Sequence, residues 1–206
     1  MNRTLDYIAV WGVVGVILSI SLIAYLGQVK ARKHIGEWTA TSPIRFLSKA
    51  QQHLEDNKPY ECIEDLKRAI KILKSIEYYG DSMVNTYLEN SIGHLTGAIA
   101  AINTPEFSKE DLNLTIFEAL NSVAYAELKI SEQNLKNGNH EQAIFLLRTT
   151  LLALTRSTRF ARPMYLQKEH QLIADIESTL ISMEHSPNFD ESDFEKINTE
   201  FEKILE

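Results

Sequence analysis

Cysteine occurs once, at Cys62, so the chain cannot close a disulfide on itself, and cross-linked secreted modules are excluded. Eight glycines and five prolines in 206 residues are too few for a collagen-like or low-complexity chain. Positive charge is also in deficit: 21 Lys and Arg against 28 Asp and Glu leave a formal net charge of -7, the wrong sign for gripping a phosphate backbone. No nucleic-acid partner is expected. Signatures of chemistry are missing too, with no GxxxxGK[ST] or GxGxxG cradle, no GxSxG elbow and no HExxH pair. A carboxylate-bridged metal site in a helix bundle needs Glu-x-x-His, and none of the six histidines has Glu three positions before it. Glu89 with His94, and Glu169 with His170, lack the spacing that shares a helix face. His140, beside Gly138 at a turn, is expected in solvent. No catalytic residue, metal or cofactor is expected, and the chain reads as non-enzymatic.

What the sequence does have is one long uncharged run. From Tyr7 to Val29 there is no formal charge, and 23 helical residues at 1.5 Å each reach about 35 Å, enough for a hydrocarbon core of about 30 Å. Tyr7, Trp11 and Tyr25 stand near its ends, where amphipathic rings favour the headgroup level. Lys30, Arg32 and Lys33 follow the run and only Arg3 precedes it, so the positive-inside bias predicts an outside amino terminus and a cytoplasmic domain. The expectation is a single-pass protein of a bacterial inner membrane, with residues 1–29 as anchor and 30–41 as juxtamembrane linker. Gly12, Gly15 and Ser19 make a stripe of small residues that would let a second membrane helix, from another copy or a partner subunit, approach closely.

The remainder reads as all-α. Ser42 and Pro43 open a helix that runs to about Glu55, and Pro59 opens a second, to about Ile76. A third ends near Asn103, before Thr104 and Pro105. Ser108 with Asp111 makes a capping box, with Phe107 and Leu112 as staple, for a fourth helix to about Lys136. Gly138 ends it, a fifth runs to about Ser157, and a sixth from about Arg162 to Glu184. Shifting the chain against itself by 81 positions superposes Leu47 on Leu128, Ile63 on Ile144, Leu66 on Leu147, Leu73 on Leu154, Leu95 on Ile176 and Ile102 on Met183. One offset serves three consecutive helices and both turns. It predicts a duplicated 3+3 bundle or helical array, with unit 1 over 42–104 and unit 2 over 105–186, each closing the other's apolar face.

The stretch GNHEQAIFLLRTTLLAL, with Gly138, Ala143 and Leu151 in their relative places, resembles the turn and second helix of a tetratricopeptide repeat. NKPYECIEDLKRAIKIL, with Cys62 and Ala69 as its small residues, echoes it in the first half. The helices before these stretches lack the aromatic and leucine-glycine pattern of the family's first helix, and the period differs from its 34 residues. The resemblance covers two hairpins and implies a scaffold that binds peptides or proteins.

Two charged surfaces stand out. Lys67, Arg68, Lys71 and Lys74 form a basic stripe suited to a solvated face or to anionic headgroups. Arg156, Arg159 and Arg162 cluster where a helix dipole favours cations, yet their counterparts 81 positions earlier are Ser75, Tyr78 and Asp81, which points to an acidic partner or to the chain's own tail. That tail, 187–206, is acidic: residues 184–206 hold eight acids against Lys196 and Lys203. Asp190 with Asp193, and Phe189 with Phe194, open an amphipathic helix whose Phe194, Ile197, Phe201, Ile204 and Leu205 share one face. Such a face can cap the bundle or enter a partner's groove. The expected role is a membrane-anchored scaffold or adaptor for a protein partner. A structural accessory subunit of a membrane complex, or an enzyme with an unrecognised site, are the alternatives.

Overall fold

A computed structural model describes residues 43–77, 82–185 and 192–205. The expected anchor over Tyr7–Val29, the stripe Gly12, Gly15 and Ser19, the flanking Lys30, Arg32 and Lys33, and the caps at Ser42 and Asp190 lie outside the described residues. Among the described residues no helix is long and apolar enough to cross a membrane.

The chain is all-α in its described part, with seven helices and no strand there: α1 Pro43–Glu55, α2 Pro59–Glu77, α3 Ser82–Ala101, α4 Lys109–Lys136, α5 His140–Ser157, α6 Pro163–His185 and α7 Ser192–Leu205. Three of them, α1, α2 and α6, open on proline, whose fixed φ suits a first helical residue and whose missing N–H costs nothing there. At the start of α4 the Ser108 hydroxyl accepts from Asp111 N at 3.1 Å while the Asp111 carboxylate accepts from Ser108 N at 3.0 Å, so the expected capping box is formed. The Ser108 hydroxyl, which also donates to the Asp111 carboxylate at 2.8 Å, and the Ser108 N–H hold that carboxyl below its usual range. Both hairpins turn by the same device. Asn57 has φ 56° and Gly138 has φ 75°. In the first turn Asn57 N reaches Leu54 O at 3.1 Å and Lys58 N reaches His53 O at 2.8 Å; in the second Gly138 N reaches Leu135 O at 2.9 Å and Asn139 N reaches Asn134 O at 2.8 Å. Each is a Schellman closure with a left-handed residue just past the helix.

Residues 81 positions apart share their environment. Cys62 and Ala143, Leu66 and Leu147, Leu73 and Leu154, Leu95 and Ile176, and Ile102 and Met183 are all buried. Met83 and Met164 are both exposed.

At the centre lies α4, which packs on α1, α3, α5 and α7, and every residue from Ala119 to Leu128 is buried. A helix surrounded on all sides loses the polar stripe of a surface helix, and the small residues Ala119, Ala124 and Ala126 give its neighbours room. The tail helix α7 packs on α4 and α6. Phe194, Ile197, Phe201 and Ile204 are buried there, and Phe201 stacks on Tyr125 with ring centroids 5.6 Å apart. Polar ties flank this seam: Tyr125 Oη donates to Glu202 at 3.1 Å, Asn198 Nδ2 to Glu132 at 3.1 Å, and Lys196 pairs with Asp175 at 3.0 Å.

Candidate functional site

A recess of about 250 Å³ opens between α3, α4, the start of α6 and the end of α7. Helical periodicity builds it. Tyr87, Ser91 and His94 recur at i, i+4 and i+7 on α3, and Leu114, Phe117, Glu118, Asn121 and Ser122 share a face of α4. Tyr165 comes from α6, and Ile204 and Leu205 from the last turn of α7. The Ser91 and Ser122 hydroxyls engage each other at 2.8 Å. His94 Nδ1 lies 2.5 Å from Glu118 Oε2, joining α3 to α4 at the exposed side of the recess. Phe117 and Tyr165 contact through rings 5.2 Å apart.

Behind this recess sits a buried polar network. Asn121 Nδ2 donates to Phe117 O at 3.0 Å and to Glu169 Oε1 at 3.1 Å, and the Ser157 hydroxyl donates to the same carboxyl oxygen. Glu169 is fully buried. Burial pushes its carboxyl above the usual range, while the bonds from Ser157 and Asn121 and the nearby His170 pull the other way. Glu169 Oε2 and Asn121 Oδ1 have no hydrogen-bond partner among the described residues. Between α4 and α5 burial also pushes Glu127 up to about 8, opposed by the Thr149 hydroxyl.

The basic stripe is exposed along α2 at Lys67, Arg68, Lys71 and Lys74. Lys67 pairs with Glu64 at 2.9 Å, and Arg68 pairs with Asp65 at 3.3 Å while its guanidinium sits 5.8 Å from the Phe46 ring centre. Arg159 and Arg162 are exposed and Arg156 half-buried, around the α5–α6 turn. Phe194, Ile197, Phe201 and Ile204 are covered by α4 and α6, with Leu205 half-buried at the recess. His140, expected in solvent, is half-buried instead: its Nε2 lies 3.0 Å from Met183 O, because the hairpin turn carries it against the end of α6. Cys62 is buried, and burial, with Asp65 beside it, pushes its thiol up to about 12, so it packs as a small apolar residue.

Sequence spacing did not disclose the His94–Glu118 pair or the Asn121–Glu169–Ser157 network, whose members come from different helices. One signal was available. At the 81-residue offset, each buried acid stands opposite an apolar residue: Asp65 against Leu146, Glu127 against Phe46, and Glu169 against Leu88. An acid in a position that its counterpart gives to packing marks a buried polar site. Among the described residues, no group of three or more His, Cys, Asp or Glu side chains could hold a metal ion. No protein-family model, curated protein or solved structure matches the chain.

Proposed function

We propose that this chain is a membrane-anchored helical scaffold that holds a protein partner at the bilayer surface. The observation that carries this reading is the division of its surfaces. Most of the large apolar side chains of the described helices are inside the bundle, those of α7 included, with Tyr60, Met83, Leu152, Met164 and Ile181 exposed, while the outward faces of α2 and of the α5–α6 turn present cations on a chain of net charge -7. A cluster of one sign raises the local concentration of ions of the opposite sign, which suits contact with an anion. Lys67, Arg68, Lys71 and Lys74 suit anionic headgroups of the leaflet to which Tyr7–Val29 would tether the domain. Arg156, Arg159 and Arg162 suit an acidic protein surface, since guanidinium forks recognise carboxylates in pairs. The matched turns at Asn57 and Gly138, and the matched burial 81 residues apart, support a duplicated three-helix unit resembling two tetratricopeptide hairpins. In this reading α7 takes the place on α4 and α6 that α4 takes on α1 and α3, and closes a two-unit array.

Acylation of lysines on the full chain in lipid nanodiscs tests the headgroup contact. Anionic nanodiscs should protect Lys71 and Lys74 relative to zwitterionic ones; equal labelling in both would remove the lipid-facing role from α2.

A further inference from the structure

We infer that the recess between α3, α4 and α7 is a binding site for a small organic ammonium ion carrying an apolar or aromatic group. Its walls supply what such an ion seeks. Tyr87, Phe117 and Tyr165 contribute aromatic rings, whose faces attract cations. Glu118 contributes a carboxylate at the open side, only part-covered, with side-chain exposure of 36%. The carbonyl end of α7 adds negative partial charge, because the last residues of the helix, Ile204 and Leu205, form one wall. Lys168 takes one oxygen of that end, on Lys203 at 3.2 Å, and is not itself part of the wall. Among the described residues no Lys or Arg lines the recess, and His94 is the basic side chain there, 2.5 Å from Glu118. An anionic ligand would meet the Glu118 carboxylate with no Lys or Arg of the described residues beside it. A volume of about 250 Å³ lies below the usual range for drug-sized ligands, which limits the occupant to a small molecule.

A ring nitrogen of His94, 2.5 Å from Glu118, occupies the carboxylate that an incoming ammonium would use, so the ligand must displace it or share the acid. Removing the ring should therefore tighten binding, the opposite of what removing a ligand-contacting residue does.

Methyl-labelled full chain in a neutral detergent, titrated with benzylammonium, benzyl alcohol and benzoate, tests the site through the methyl signals of Leu114, Ile204 and Leu205. Benzylammonium should give saturable shifts at all three. Glu118→Gln should weaken it about tenfold, the loss of one charge contact, and leave it near benzyl alcohol. His94→Ala should strengthen it. Benzoate should give no saturable shift. Glu118 is half-exposed, so its variant should keep the wild-type melting temperature, which is measured alongside. Absence of saturable shifts with benzylammonium, equal binding of benzoate, or full affinity in a Glu118→Gln protein that melts normally would overturn the assignment.

Discussion

Glu127 shows how one buried side chain sets a stability that depends on pH. In the unfolded chain a glutamate ionises near 4.3, whereas burial between α4 and α5 raises Glu127 to about 8 in the fold. Between those values the folded state binds more protons than the unfolded one, so stability falls as pH rises through about 4 to 8 and then levels off. The loss is on the order of 3 kcal/mol by pH 7. Glu127→Gln, which keeps the shape and removes the charge, should be gained upon by no such loss: its stability advantage over the native chain should widen from pH 5 to pH 8. Urea unfolding of both proteins at a series of pH values reads this directly, and a difference that stays constant with pH would rule out a buried, proton-holding Glu127. Glu169 carries the same sign of shift for the same reason.

Helix boundaries were legible because local groups enforce them. Pro43 and Pro59 begin helices, Ser108 and Asp111 close a box, and Gly138 takes the left-handed conformation that a side chain resists. Ser108→Ala removes the acceptor for Asp111 N and should cost about 1 kcal/mol in urea unfolding. The amphipathic period of the tail likewise disclosed which face of α7 is apolar, although not whether the bundle or another protein covers it. Its seat in the bundle depends on Tyr125, 76 residues before Phe201, and no local pattern encodes such a pairing. The recess was illegible for the same reason, since His94 and Glu118 meet only through the packing of α3 on α4. Phe201 is fully buried, so Phe201→Ala should cost about 3 to 5 kcal/mol, again by urea unfolding. A cost below about 1 kcal/mol would mean that α7 contributes little to the closed bundle.

The molecule as a whole combines an apolar amino-terminal run, a helical domain in which the last helix packs on α4 and α6, and two cationic outer faces. Contacts made through the proposed cationic faces would rest on charge, and charge-mediated contacts weaken with salt. Association with a protein partner should therefore fall as ionic strength rises, and a salt titration of the isolated complex checks it. The most direct measurement of the central claim compares membranes containing the native full chain with membranes containing Arg156→Glu, Arg159→Glu, Arg162→Glu. Both chains should leave the membrane only with detergent, and both should melt alike. The native chain should come away with a protein partner in fixed proportion, which the triple variant loses. Recovery of the native chain in the soluble fraction without detergent, or retention of the same partner by a normally folded triple variant, would contradict the account.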